Sequence, residues 1–444
     1  MINDISKLYG RQIPLRDLPE NLITLPDIQS RDAISRERGL KCVRCGSRLR
    51  RKDAYLPNKQ FYCYACIQMG RLDTLTPLAW LPEPNRFPSN PEPLTWDGQL
   101  TELQEECANK VVEVFQNKQR HLLWAVTGAG KTEMLFKGIS WAVARGLRIG
   151  IASPRVDVCI ELFPRIQSAF EKVSTVLLHG KSEQPYKYSQ ITICTTHQLL
   201  RFYHAFDVLI IDEVDVFPYS GNQMLHFGVS NAIKADGATL YLTATPDQAL
   251  FRAISRKQLS VSYLPIRYHG HYLPEVTVIR IKNLSNQISA GTLPKQIVKM
   301  VTNLAAAKQR FLLFVPHIKD LAAVATAIKR AGVVAKFETV YSADPDRIEK
   351  VALMRSRQID FLITTTILER GVTFPGIDVL VLKADNDIFS AAALVQIAGR
   401  VGRNRDRPTG QVLFYCENKA ANIKSCDRQI KLMNRKAVSY THLR

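Results

Sequence analysis

No apolar run in the chain approaches the roughly twenty residues needed to cross a bilayer, and the amino end carries no charged-then-apolar leader. The chain is therefore expected to stay in the cytoplasm and to reach a membrane only through partners. Repeats and low-complexity blocks are also missing, so disorder is confined to short stretches. Five of the nine cysteines (Cys107, Cys159, Cys194, Cys416 and Cys426) fall in no pairing pattern, which argues against a disulfide framework and fits a reduced compartment. Acidic residues are scarce beside basic ones. Forty Asp and Glu face sixty Lys and Arg, for a formal charge of +20. Such a field draws in polyanions, with nucleic acid the leading partner and anionic lipid or plain solubility the alternatives.

A length of 444 residues exceeds what one core fills, so two or three separately packed units are expected. Residues 1–40 are polar and interrupted by Pro14, Pro19 and Pro26, which reads as an irregular lead-in. Residues 71–97 form a proline-rich linker, densest from Leu81 to Pro93, expected to be stiff and exposed. Beyond it, β-rich runs alternate with helical patterns over 98–285 and again over 286–430, the signature of two α/β lobes with parallel sheets. A basic tail, 431–444, closes the chain.

Between lead-in and linker, at 41–70, Cys42, Cys45, Cys63 and Cys66 give C-x2-C-x17-C-x2-C, the spacing of a tetrahedral Zn²⁺ site joining two knuckles. So short a polar segment cannot build a core of its own, and a metal explains its four thiols. With all four positions filled by cysteine, the Zn²⁺ is expected to be structural. Arg44, Arg48, Arg50, Arg51 and Lys52 stand near Tyr55, Phe61, Tyr62 and Tyr64, a mixture that suits either single-stranded nucleic acid or a docked protein.

Residues 125–132 read AVTGAGKT after an apolar strand and before a helical pattern. Strand, glycine-rich loop and helix in that order form a phosphate cradle: the backbone of Thr127, Gly128, Ala129 and Gly130 surrounds phosphate, Lys131 reaches the β and γ phosphates, and Thr132 offers a hydroxyl to Mg²⁺. Downstream, VLIIDEVD puts Asp212 and Glu213 at the carboxyl end of a strand. Asp212 is expected to hold Mg²⁺ and Glu213 to polarise the attacking water, while Asp215 links the site to neighbouring loops.

Four motifs in order, GAGKT, DEVD at 212–215, TAT at 243–245 and QIAGRVGR at 396–403, resemble the superfamily-2 helicases over most of both lobes. The resemblance implies two RecA-like lobes that bind ATP and Mg²⁺, with Arg400 and Arg403 as arginine fingers, Gln396 in the same motif, and Gln104 reading adenine. It further implies that Thr243 and Thr245 couple hydrolysis to lobe closure, and that Ser153, Arg155, Thr195, Thr196, Thr365, Gly371 and Thr373 contact nucleic acid or nucleotide.

Within that superfamily, SPRVDVCIELFPRIQSAF, IIDEVDVFPY and the amino-terminal cysteines resemble the ComFA family of DNA-uptake ATPases in competent Gram-positive bacteria. The primosomal helicase is similar in the first-lobe motifs, but its cysteines lie between helicase motifs and its chain is longer. The resemblance implies ATP-driven movement of single-stranded DNA at the inner face of the membrane, with ComFC and DprA as partners and a homo-oligomer as an option. An RNA or primosomal-type DNA helicase is the alternative among enzymes; an ATP-switched DNA-binding scaffold is the alternative outside them.

Overall fold

The computed structural model describes all residues except 1–3, 38, 181–184, 370–373, 405 and 443–444, and the side chains of 441–442. By its contacts the chain separates into two compact units, residues 1–123 with 131–262, and 124–130 with 263–444.

The amino-terminal region is short on regular structure but not on packing. β1 (Ile13–Pro14), β2 (Gln29–Arg31), β3 (Ile34–Ser35), β4 (Lys41–Cys42), β5 (Tyr55–Leu56), β6 (Gln60–Phe61) and β7 (Leu78–Trp80) are all two or three residues long. β7 lies centrally in a sheet of order β1-β7-β2, antiparallel to both neighbours. Pro14 is tolerated because β1 is an edge strand and needs no donor on its outer side. Leu8, Tyr9, Ile13, Leu18 and Leu22 bury themselves against Ala79 and Leu81.

The described residues of this lead-in are irregular, as its prolines suggest, but they are packed. Their apolar positions follow no local period because the surface they cover is some sixty residues away. The proline-rich stretch departs from expectation. It has little regular structure, as its prolines dictate, yet it is not exposed throughout. The Glu83 side chain is fully buried, Asn85 donates to Asp207 at 3.0 Å, and Phe87 stacks on Tyr188 at 4.9 Å between ring centres.

The first α/β lobe follows. Its strands are β8 (Arg120–Ala125), β9 (Ile149–Ser153), β10 (Thr175–Leu178), β11 (Ile191–Thr195), β12 (Phe206–Ile211), β13 (Ile233–Thr243) and β14 (Ser260–Leu264). They form one sheet of order β10-β11-β9-β12-β13-β8-β14, in which the β10–β11, β11–β9, β9–β12 and β12–β13 pairs are parallel. Every residue of β9 and β11 is buried, as expected of strands covered on both faces.

The second lobe is an all-parallel sheet of β15 (Thr277–Arg280), β16 (Phe311–Phe314), β17 (Phe337–Val340), β18 (Phe361–Thr364), β19 (Asp378–Leu382) and β20 (Val412–Cys416), ordered β15-β20-β19-β16-β18-β17. It begins before residue 286. β15 is an edge strand with no buried residue, so no apolar run announces it. At the other end the expected tail is part of one helix, Ala421–His442, which buries Cys426, Ile430, Met433 and Ala437. Two RecA-like lobes preceded by a four-cysteine module is thus the architecture. Among the described residues no helix is long and apolar enough to cross a membrane.

Candidate nucleotide site, metal centre and nucleic-acid contacts

The glycine-rich loop sits at the carboxyl end of β8. Gly128 and Gly130 adopt φ +78° and +73°, the left-handed region that side chains resist, and a Cβ at Gly128 would meet open space rather than protein. The backbone is thereby left free to face a phosphate. Thr127 and Ala129 are buried, and the Gly128 carbonyl accepts from Tyr268 N at 3.0 Å. Lys131 opens the helix Lys131–Ala144, Thr132 behind it is buried, and Lys131 Nζ lies 3.7 Å from Asp212 Oδ1. A cation for phosphate oxygens, a carboxylate for Mg²⁺ and a hydroxyl one residue on are the donor set that ATP with Mg²⁺ requires.

Asp212 ends the run of β12, and Glu213 takes φ +54°, a conformation that costs a non-glycine residue about 1 kcal/mol and collects at functional sites. Glu213 N donates to Asp212 Oδ1 at 2.8 Å, which orients that carboxylate. Asp215 accepts from both threonines of the TAT motif, from Thr243 Oγ1 and from Thr245 Oγ1 at 2.6 Å. Thr245 N donates in turn to Thr243 Oγ1 at 2.9 Å. A chain of charge-assisted hydrogen bonds thus runs from the acidic motif to the end of β13.

Gln104 has an assigned place: its Oε1 accepts from Thr101 N at 2.9 Å and Thr101 Oγ1 accepts from Gln104 N, a reciprocal cap at the start of Glu102–Gln116. Ser153 and Thr195 end β9 and β11 and are buried, Thr196 follows buried, and Arg155 pairs with Asp157 at 3.7 Å. In the second lobe Thr365 and Gln396 are buried. Gly371 and Thr373 lie outside the described residues.

Arg400 is buried, and Arg403 Nε donates to Gly399 O at 3.0 Å. The turn that carries them is held by two residues no motif announces. Buried Arg267 donates to the carbonyls of Val401 and, at 3.3 Å, Gly399, while His269 Nε2 meets the Gly402 carbonyl at 2.8 Å. Burial, with Arg403 nearby, pushes the Arg267 guanidinium down to about 9. The signal was present as an unusual string, RYHGHY, but its partners are more than a hundred residues on.

The four cysteines of the amino-terminal module converge. All four Sγ atoms lie within 4.8 Å of one another, with Cys42–Cys66 at 3.8 Å, Cys45–Cys63 at 3.6 Å and Cys63–Cys66 at 3.5 Å. Zn–S bonds of ~2.3 Å in a tetrahedron set sulfur atoms ~3.8 Å apart, so the cluster fits a structural Zn²⁺. Arg44 completes the surroundings. Its Nη2 donates to Cys66 Sγ at 3.0 Å and to the carbonyls of Cys66 and Gly70, setting a cation beside thiolate charge.

Residues 5–80 match the family described as "Competence protein ComFA N-terminal domain", 97–248 that of "Type III restriction enzyme, res subunit", and 293–405 that of "Helicase conserved C-terminal domain". The Competence protein ComFA of Bacillus subtilis (strain 168) is 40% identical over 90% of this chain and 86% of its own, and that of Streptococcus pneumoniae (strain ATCC BAA-255 / R6) is 38% identical over 91% and 93%. A solved structure, S. cerevisiae Dbp5 bound to RNA and ADP BeF3, shares the fold with a TM-score of 0.55 at 15% identity, covering 76% of this chain and 88% of that one.

Proposed function

Since the chain belongs to the ComFA family and is a competence-associated, helicase-type ATPase, we propose that it uses ATP hydrolysis to move single-stranded DNA during uptake of transforming DNA. What supports this most is the convergence of Lys131, Thr132 and Asp212 at a loop whose backbone is open to phosphate. In this reading Thr127 to Gly130 cradle the phosphates, and Asp212 and Thr132 hold Mg²⁺. ATP with Mg²⁺ supplies the phosphoryl group and its charge neutralisation. Glu213 orients the attacking water, and Arg400 and Arg403 stabilise charge on the γ-phosphate. Asp215, with Thr243 and Thr245, transmits nucleotide state from the acidic motif to β13. Arg155 and Gly371, with the strand ends that carry Ser153, Thr195, Thr196 and Thr365, form the track for the strand, and Gln396 supports the arginine motif. Work at the inner face of the membrane alongside ComFC and DprA, and self-association, rest on the family resemblance.

The test is ATP hydrolysis by the purified chain with single-stranded DNA, duplex DNA, RNA or no nucleic acid, beside Lys131→Ala. Stimulation by single-stranded DNA that the variant abolishes is expected. Hydrolysis indifferent to every nucleic acid would refute a translocase and favour a nucleotide-switched scaffold; preference for RNA would shift the substrate.

A further inference from the structure

The amino-terminal region and the first lobe enclose a cleft of about 580 Å³ that none of the nucleotide-motif residues lines. Six cations line it, Lys7, Arg11, Arg16, Arg44, Arg71 and Arg201, against one carboxylate, Asp17. Three of the six have duties already. Arg16 and Arg71 both reach buried Asp73 at 3.0 Å, and Arg44 is held by the cysteine loop. Arg11 and Arg201 differ. Arg11 lies over the Tyr186 ring at 4.0 Å and Arg201 donates to Gln198 Oε1 at 3.0 Å, but neither pairs with a carboxylate among the described residues.

Backbone pairing holds these two guanidiniums in one cleft. Arg11 bridges Phe202 antiparallel, Gln12 N donates to Arg201 O at 3.0 Å, and Gln12 Nε2 donates to Leu200 O at 2.9 Å. Unmatched cations confined this way repel. Burial lowers the Arg11 guanidinium to about 10, with Arg201 and Arg148 adding to the effect, and burial lowers Arg201 with Arg44 contributing. A fold that fixes like charges at such a cost gains most from an anion arriving between them. Arg201 also ends the segment Thr196–Arg201, which directly follows β11.

We propose that this cleft is a separate single-strand contact, in which Arg11 and Arg201 bind backbone phosphates of DNA beside Tyr186, so that the amino-terminal region holds the strand together with the first lobe. The inference rests on the DNA-motor reading above. Guanidinium pairs next to an aromatic ring are suited to a polyanionic strand whose sequence is not read.

The experiment titrates the full chain into fluorescein-labelled oligo(dT) across a salt series and compares it with the double variant Arg11→Ala, Arg201→Ala. Two lost phosphate contacts should weaken binding about tenfold and flatten the salt slope by ~1.4, at ~0.7 per contact on a single strand. ATP hydrolysis without DNA should be unchanged. In parallel, photo-crosslinking of a 4-thiothymidine oligonucleotide to the unaltered chain should label a peptide containing Arg11 or Tyr186, a result that does not depend on how the variant folds. Unchanged affinity and slope, or crosslinks found only at other peptides, would overturn the cleft while leaving the motor intact. Absence of any single-strand binding by the unaltered chain would instead defeat the motor reading and this inference with it.

Discussion

Arg148 and Glu83 form an ion pair from which solvent is wholly excluded, with both side chains at 0% exposure. Glu83 belongs to the proline-rich stretch, and Arg148 immediately precedes strand β9 of the first lobe. Tyr188 donates its hydroxyl to the same carboxylate, and Arg148 Nη1 donates to Tyr9 O at 3.0 Å. One guanidinium thus ties the amino-terminal module, the proline-rich stretch and the first lobe together.

Breaking a buried pair by removing one charge leaves the other uncompensated, which typically costs 3–5 kcal/mol, or about that here. Glu83→Gln keeps the shape and removes the charge. It should lower the denaturation midpoint of the first unit strongly in a urea titration, whereas Glu92→Gln, on an exposed residue of the same stretch, should not. Equal midpoints for the two variants would mean that the pair contributes nothing net.

Asp215 receives the hydroxyls of Thr243 and Thr245, so Asp215→Asn weakens both bonds without opening a cavity. Hydrogen bonds to a charged group are worth ~1.5–3 kcal/mol, and losing one predicts a drop of roughly tenfold or more in DNA-stimulated turnover. Affinity for a nucleotide analogue should change little, because Lys131 and Asp212 are untouched. A parallel loss of nucleotide affinity would show that Asp215 acts on binding rather than on transmission.

The cysteine cluster predicts about one equivalent of zinc per chain, bound by four thiolates. Removal by a chelator, or Cys63→Ser, should loosen the module, since metal binding in so small a unit is folding free energy. Limited proteolysis should then cut within residues 41–70, and metal analysis should follow the cuts. A metal-free chain as resistant as the loaded one would rule out a structural ion.

His121 is buried on β8, with Nδ1 2.7 Å from Ser260 Oγ and Nε2 2.9 Å from Ser262 Oγ. Burial, followed by the charge of Lys110, depresses its pKa from 6.5 to about 4. The unfolded chain therefore binds a proton at a higher pH than the folded one. The stabilisation from neutral His121 is complete above pH ~6.5 and is lost as pH falls from there towards ~4, on the order of 3 kcal/mol in all. Thermal unfolding of His121→Gln should be flatter over that window than that of the unaltered chain; identical profiles would place the pH dependence elsewhere.

Much of this protein could be read from its residues alone, and the reason is locality. The loop at 127–132 and the cysteine pairs at 42–45 and 63–66 are recognisable because the atoms that meet are close in sequence, and β12 because burial leaves the apolar run Val208–Ile211 unbroken. What tertiary structure decided were contacts between residues far apart. Ile13 and Leu18 look unpatterned until Ala79 and Leu81 cover them, and Glu83 looks like a solvated charge until Arg148 meets it. Arg267 and His269 have no local role until the turn at 399–402 arrives. Arg11 and Arg201 each read as an ordinary surface cation. Only the pairing of Arg11 with Phe202 brings them into one cleft, because the repulsion between like charges depends on distance through space and not along the chain.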